Sequence, residues 1–287
     1  MSGIKIRGTG RFAPAKIVTN DDLAKIVDTS DEWITTRTGI QTRHHCTTET
    51  HTDMCVGAAR QALENAGISP EDIGACVVAT FSSDYLSPSA ACMVQRGLGL
   101  PHDAVCFDLN AACSGFLFAI HTMECLLAQA PRKYGLVIGA EMLSRFINWE
   151  DRGTCVLFGD GAGAVVVEWR EDYPSIHAVL GCHGDPDMLG AEKPAPARIF
   201  MHGQPTFKFA VKAVPYCIDQ VLEKAVMAIE DVDFFVFHQA NARIIDLAAK
   251  KYHIPPEKYY KNIQKYGNTS AASIPLVISE LHDLGKV

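Results

Sequence analysis

Two stretches of the chain run through the same order of signals, and that repetition narrows the fold more than any single motif. In the first, an alanine-rich amphipathic pattern from Asp53 to Ala66 leads through Pro70-Glu71-Asp72-Ile73 into an apolar run, Ala75 to Thr80. In the second, a helical pattern from Phe209 to Ala228 leads through Ile229-Glu230-Asp231-Val232 into Asp233 to Phe237. Both read as helix, Glu-Asp-aliphatic turn, strand. Helices alternating with short apolar strands imply parallel sheets covered by helices, an α/β architecture. The stretch Trp169 to Gln204, rich in Pro, Gly and His, is the expected connection between the two parts.

A cysteine stands where such an architecture places reactive groups. In Asp108-Leu109-Asn110-Ala111-Ala112-Cys113-Ser114-Gly115-Phe116, the segment Ala104 to Leu109 reads as a short buried strand. Phe116, Leu117, Ile120, Met123 and Leu127 then recur at helical spacing, so a helix starts close to Cys113. Unpaired N–H groups and the positive end of the helix dipole favour thiolate there, which suits a nucleophile; a buried structural thiol is the other reading. Two further clusters bear on the choice. Phe234-Phe235-Val236-Phe237 forms a strand pattern ending in His238-Gln239-Ala240-Asn241, with a helical stretch from Ala242 to Lys251 behind it. Tyr266-Gly267-Asn268-Thr269-Ser270-Ala271-Ala272-Ser273 places Asn268 between a flexible glycine and small residues. Singly, such a histidine or Asn-Thr-Ser turn is structurally ordinary; together they offer Cys, His and Asn to one site.

With these motifs the sequence resembles the beta-ketoacyl-acyl-carrier-protein synthases III of the thiolase superfamily. The resemblance runs, in family order, through Thr19-Asn20-Asp21-Asp22-Leu23, Asp31-Glu32-Trp33-Ile34 with Arg37-Thr38-Gly39-Ile40, the Cys113 run, Phe158-Gly159-Asp160-Gly161-Ala162-Gly163-Ala164, His238-Gln239-Ala240-Asn241 and Gly267 to Ser273, nearly the whole chain. It implies a thiolase-like fold of two similar halves, each with a mixed, mostly parallel sheet layered with helices. Residues 1–170 form the half carrying the nucleophile, 171–205 the connecting segment, and 206–287 the half carrying histidine and asparagine. The implied activity is condensation of an acyl-CoA primer with malonyl-acyl carrier protein, with loss of carbon dioxide, at the start of fatty acid biosynthesis. Related readings are a condensing enzyme of secondary metabolism using unusual acyl-CoAs, a non-condensing acyltransferase and a cysteine hydrolase.

The same resemblance assigns roles. Cys113 takes the acyl group, while His238 and Asn268 stabilise the enolate left by decarboxylation. Trp33 matches an adenine-stacking position, although an indole there could be plain core; Arg37 and Arg152 match positions that contact the CoA nucleotide and phosphates, and Asn241 the pantetheine arm. The helix after His238 becomes the dock for acidic acyl carrier protein, centred on Gln239, Ala240, Asn241, Ala242 and Arg243, with Lys250 and Lys208 contributing. Acyl-CoA is a substrate, so no cofactor is implied, and a homodimer is. Phe237 replaces a usual proline, and Ser87 stands where many relatives have a bulky aromatic that narrows the acyl pocket. Relatives continue past Gly285-Lys286-Val287 into a glycine-rich strand pair that supplies a backbone N–H facing the nucleophile. Without it, the oxyanion hole of the acyl-cysteine step is expected to be incomplete.

Composition agrees with a globular enzyme. At 287 residues and 48% hydrophobic, the chain can fill a substantial core. No run of about 18 apolar residues occurs, and Met1 to Arg11 lacks a secretory apolar core, so no membrane span and a cytoplasmic location are expected. The ten cysteines include no Cys-x-x-Cys, and Cys76, Cys92, Cys106, Cys125 and Cys155 sit in apolar segments, as reduced core thiols would. Adjacent His44 and His45 are poorly placed to chelate, and no metal is expected. A net charge of −7 argues against nucleic-acid binding and makes Arg243, Lys250 and Lys251, on one helix, stand out locally. The run Gly159 to Gly163 lacks the Lys-Ser/Thr of a phosphate loop and leads into a strand, so it is expected to serve close backbone packing.

Overall fold

The computed structural model describes residues 2–191 and 198–286; residues 192–197 of the expected connecting segment, and Val287, lie outside the described residues. The chain starts with β1 (Gly3–Phe12), then a ribbon of β2 (Lys16–Thr19) and β3 (Thr42–His45) flanking α1 (Asn20–Ala24) and α2 (Asp31–Thr38). There follow α3 (His51–Ala66), β4 (Ile73–Ala79), α4 (Ala90–Leu98), β5 (Val105–Leu109), α5 (Gly115–Leu127), β6 (Tyr134–Glu141), α6 (Arg152–Cys155) and β7 (Gly161–Arg170). A small antiparallel pair, β8 (Leu189–Ala191) and β9 (Ile199–Met201), precedes α7 (Gly203–Ala225), α8 (Ala242–Lys251), α9 (Ile263–Tyr266) and α10 (Ser273–Asp283).

Five strands form one mixed sheet in the order β1-β7-β6-β4-β5, with β4 parallel to both β5 and β6, and β7 antiparallel to β6 and β1. Strand alternation divides its side chains between two helical layers. Cys76 and Val78 of β4 pack with Met54, Ala58 and Ala62 of α3 and Val94 of α4. Ala75, Val77 and Ala79 pack on the opposite side with Phe116, Ala119 and Met123 of α5 and Ile274 of α10. Phe116 is 1% exposed, a burial that contributes about 2–3 kcal/mol. Thus α10, from residues 273–283, covers a sheet built from residues 3–170, so distant parts of the chain share one core.

Local signals explain the element boundaries. Thr50 and Asp53 form a reciprocal capping box at the start of α3, and Gly67 ends it in the left-handed conformation. Asp108 of β5 accepts from the amides of Ala90 and Ala91 at 2.7 and 2.8 Å, capping α4 from outside its own sequence. The two Glu-Asp turns of the repeat both form single 3-10 turns, at Pro70–Asp72 and Ile229–Asp231.

The expectations for two strands need correction. Residues 233–237 do not form a strand: the segment is extended, with one bridge from Phe235 to Tyr259 and a bond from the Phe235 amide to the Lys258 carbonyl at 2.7 Å. An apolar pattern reports side-chain burial, whereas a ladder also needs a neighbouring backbone, which the pattern does not encode. Similarly, β5 is not buried: it is the sheet edge, paired only to β4, and Val105 is 49% exposed. Cys92 on α4 and Cys125 on α5 are exposed, rather than core thiols like Cys76 and Cys155. All ten cysteines are unpaired.

Candidate active site

Cys113 is presented by a strained turn. Beyond β5 the chain places Ala112 at φ 44° and forms a single 3-10 turn, Ala112–Ser114, that runs straight into α5. Positive φ on a non-glycine residue costs roughly 1–3 kcal/mol and persists only where the surroundings enforce it. A second strained turn lies against the first: Ser270 at φ 48° opens the 3-10 turn Ser270–Ala272, which runs into α10. The sequence reading of a ready thiolate is corrected here, because burial pushes the Cys113 thiol up and outweighs the lowering by Ser270 and its own backbone N–H.

Close backbone packing seats the second turn. Gly139 of β6 and Gly163 of β7 are cross-strand partners, and both lie beneath it. A Cβ at Gly139 would collide with the carbonyl of Ala271, and one at Gly163 would lie 2.7 Å from the amide nitrogen of Leu276. The Gly159–Gly163 run therefore serves close packing, as expected from its spacing.

Asn268 and His238 reach the same region by different routes. The Asn268 backbone is clamped between Leu157 and Gly159 through bonds of 2.8 and 3.1 Å, and its Oδ1 accepts from the Ser270 amide at 2.9 Å. That bond leaves the Nδ2 donors of Asn268 for another partner. His238 ends the extended segment, which is tied down next door where the Gln239 amide donates to Ser273 Oγ at 2.6 Å. Both His238 ring nitrogens are out of contact with solvent and have no hydrogen-bond partner among the described residues. Burial lowers its pKa to about 4, so the imidazole is neutral at physiological pH.

A carboxyl that the sequence reading missed lies below this pair. Glu141, 0% exposed at the end of β6, accepts from Ser82 Oγ, from Thr80 Oγ1 at 3.2 Å, from the Phe81 amide at 3.4 Å and from Ser270 Oγ at 3.4 Å. Burial pushes it up to about 8 against the hydrogen bonds of Ser82, Phe81 and Thr80, and the nearby Cys113 raises it further. The available signal was an acidic residue closing the otherwise apolar run Gly135-Leu136-Val137-Ile138-Gly139-Ala140.

The residues expected to hold CoA are brought together. Arg37 and Arg152 each place their guanidinium carbon 4.8 Å from the Trp33 ring centroid. Asn241 Nδ2 donates to the Arg37 carbonyl at 3.0 Å, while its Oδ1 caps α8 by accepting from the Arg243 amide at 2.9 Å. Among the residues expected to dock the carrier, Arg243, Lys250 and Lys208 are exposed, Ala240, Asn241 and Ala242 are half-buried, and Arg243 lies 5.1 Å from the Phe207 ring. Gln239 is the exception: it is 1% exposed, and its side chain bonds the Phe237 and Tyr260 carbonyls and the Asn262 amide. A side chain committed to three internal bonds is a brace for the His238 segment, not a docking contact. His44 and His45 bond the carbonyls of Pro14 and Phe158, and no cluster of three or more His, Cys, Asp or Glu residues suited to a metal occurs among the described residues. No helix among the described residues is long and apolar enough to cross a membrane.

Comparison with known proteins agrees with this geometry. The sequence profile described as 3-oxoacyl-(acyl-carrier-protein (ACP)) synthase III matches residues 107–184, and that of its C-terminal part matches residues 222–287. The beta-ketoacyl-(acyl-carrier-protein) synthase III of Clostridium acetobutylicum is 46% identical over 99% of this chain and 91% of its own length. The crystal structure of 3-oxoacyl-(acyl-carrier-protein) synthase III from Aquifex aeolicus superposes with a TM-score of 0.94 at 48% identity, covering 99% of this chain and 92% of that one. The priming beta-ketosynthase of the R1128 polyketide biosynthetic pathway superposes with a TM-score of 0.93 at 33% identity, covering 99% and 89%.

Proposed function

The chain belongs to the beta-ketoacyl-acyl-carrier-protein synthase III family, with the thiolase-like α/β fold of that family and the acyl-transferring condensing activity that initiates fatty acid synthesis, and from that premise we propose how its own residues divide the reaction. Cys113 attacks the thioester of an acyl-CoA primer, releasing CoA and holding the acyl group. Malonyl-acyl carrier protein then loses carbon dioxide, and the enolate oxygen receives hydrogen bonds from His238 and from Nδ2 of Asn268. The enolate carbon attacks acyl-Cys113, giving the beta-ketoacyl product and freeing the thiol.

One observation carries this division of labour: His238 is neutral, with its pKa at about 4 and both ring nitrogens without a hydrogen-bond partner among the described residues. A histidine that activates a cysteine by forming an ion pair would need the opposite environment, so a cysteine hydrolase fits poorly. A neutral imidazole N–H suits an enolate, and a preorganised donor at a developing oxyanion is worth about 3 kcal/mol. The test separates the two half-reactions: acylation followed by mass spectrometry, and carbon dioxide release from malonyl-carrier protein. His238→Ala should spare the first and impair the second; equal loss of both would refute the assignment.

The remaining assignments are part of the same proposal. Residues 1–170 carry the nucleophile and 206–287 the two donors, joined by 171–205. The Trp33 indole, once one guanidinium moves aside, offers a stacking face for adenine, with Arg37 and Arg152 left to pair with phosphates. Arg243, Lys250 and Lys208 form the basic contribution to the acyl carrier dock, so binding there should weaken as salt rises. A homodimer is supported by the free edge of β5 and the exposed apolar groups Leu86 (94%), Tyr85 (53%), Val105 (49%) and Leu117 (47%); sedimentation equilibrium should give twice the chain mass. Ten unpaired cysteines fit a reducing, cytoplasmic setting, and no cofactor enters the steps. The polyketide-priming relative makes an unusual acyl-CoA primer the second reading, and turnover against a primer panel distinguishes them.

A further inference from the structure

Arg43 on β3 is 0% exposed, and the reaction steps above give it no task. Its partners among the described residues are neutral oxygens. Nη1 donates to Asn20 Oδ1 at 2.8 Å and to the Val18 carbonyl at 3.3 Å, Nη2 donates to the Val156 carbonyl at 2.7 Å, and Nε has no partner among the described residues. Burial lowers its pKa to about 10, so the guanidinium stays charged at physiological pH. Burying a charge on neutral partners alone is costly, and an apolar side chain of similar length would fill the same space at less cost. What an apolar side chain cannot do is join these three oxygens, which belong to separate segments: Val18 in β2, Asn20 at the start of α1 and Val156 at the end of α6.

These bonds lead to both helices of the Trp33 cluster. Because Asn20 Oδ1 accepts from the guanidinium, its Nδ2 faces the other way and donates to Asp31 Oδ1 and the Ile40 carbonyl, each at 2.8 Å, and to Thr35 Oγ1 at 3.3 Å. Asp31 opens α2 and Ile40 follows its C-cap, Gly39, so one amide spans the helix that carries Trp33 and Arg37. Val156 is the C-cap of α6, the short helix that carries Arg152. Arg37 from one helix and Arg152 from the other each lie 4.8 Å from the Trp33 ring centroid. A continuous path of hydrogen bonds, α6 to Arg43 to Asn20 to α2, thus joins the backbones that carry all three side chains.

We propose that Arg43, acting through Asn20, is a positioning residue that sets α2 against α6 and so holds Trp33, Arg37 and Arg152 at the spacing that binds the nucleotide of acyl-CoA. This rests on the reading of those three residues as the CoA site. The path fixes the two helix backbones and leaves the exposed guanidinium groups of Arg37 and Arg152 free to turn from the indole to phosphate. Arg43 therefore acts on how tightly a nucleotide-bearing donor is held, and not on bond-making at Cys113.

The test is the rate of acetyl transfer to the full chain, read by mass spectrometry of the Cys113 peptide, from two donors: acetyl-CoA, and acetyl-pantetheine, which keeps the thioester and its arm but lacks the nucleotide. Arg43→Met removes the donors while keeping an aliphatic stem against Gly159 and Gly267. It should raise the half-saturating acetyl-CoA concentration about tenfold, leave the maximal rate unchanged, and alter the acetyl-pantetheine rate by less than about twofold. Asn20→Asp, which still accepts from Arg43 but sets a carboxylate against Asp31 where the amide donated, should show the same selective loss, and it decides the matter if Arg43→Met does not fold. A folded variant that weakens both donors equally, as a merely structural residue would, overturns the proposal, and so does an unchanged half-saturation by acetyl-CoA. Trp33→Ala separates the proposal from the reading beneath it. If Trp33→Ala weakens acetyl-CoA alone while Arg43→Met does not, only the positioning role falls; if Trp33→Ala spares acetyl-CoA, or weakens both donors alike, the CoA site and the proposal fall together.

Discussion

The turn that presents Cys113 and the turn that presents Ser270 are built alike and used differently. Each is a single 3-10 turn whose first residue sits at positive φ, 44° at Ala112 and 48° at Ser270, and each runs directly into a helix on the same side of the sheet. The first leaves Cys113 partly open as a residue while burial still raises its thiol pKa, whereas the second is buried throughout, with Ser270 at 3%. The contrast separates two jobs. A strained turn at a helix start fixes where a side chain stands, and burial together with the facing turn decides what that side chain can do. On the reading proposed above, the first turn is the one that faces substrate.

Substitutions can break the comparison in graded ways. Cys113→Ser, which keeps the turn but weakens the nucleophile, should reduce acyl transfer by at least about 10³-fold, measured with radiolabelled acyl-CoA. Asn268→Ala should lower carbon dioxide release about 10²- to 10³-fold and also loosen Ser270, whose amide bonds Asn268 Oδ1 at 2.9 Å. Asn268→Asp keeps that acceptor while losing the Nδ2 donors, so it should impair condensation and leave acylation nearly intact.

Two stability measurements sharpen the account further. His238 ionises at about 4 in the fold against an ordinary 6.5, so protonation favours the unfolded chain. Its contribution, roughly 3 kcal/mol, is complete above pH 6.5 and is lost as pH falls towards and through 4. Urea midpoints of His238→Gln should accordingly fall less between pH 7 and pH 4 than those of the natural protein. Gly139→Ala places a methyl group against the Ala271 carbonyl and should cost about 1–3 kcal/mol, read as a lower melting temperature with acylation slowed because the Ser270 turn is displaced. Gly67→Ala, at a helix end with open space around it but φ 64°, should destabilise by about 1 kcal/mol and leave both half-reactions unchanged.

Much of this was legible in the residues. The helix–turn–strand repeat predicted α3, β4 and α7, and α8 begins and ends where its pattern did, at Ala242 and Lys251. The motifs singled out Cys113 and His238 where an apolar run meets a helix or turn, and Asn268 where a glycine follows the short α9. What escaped was set by neighbours rather than by local pattern. Residues 233–237 lack the ladder partners of a strand, and β5 proved to be an edge. Gln239 turned inward because three internal groups claim its amide. The direction of the Cys113 shift depends on burial in the folded chain, which dipole reasoning on one helix cannot see. Glu141 was hidden for a similar reason: its partners Thr80, Ser82 and Ser270 come from two distant parts of the chain.

The central claim is that Cys113 carries the acyl group between two separable half-reactions, and a pulse–chase experiment tests it most directly. The full chain would be treated with acetyl-CoA, freed of small molecules, digested in part, and then followed by mass spectrometry of the Cys113 peptide as malonyl-carrier protein is added to the remainder. The account predicts one acetyl group on that peptide, lost in step with carbon dioxide release and acetoacetyl-carrier formation. An acetyl group on any other peptide, or one on Cys113 that persists while product forms, would contradict it.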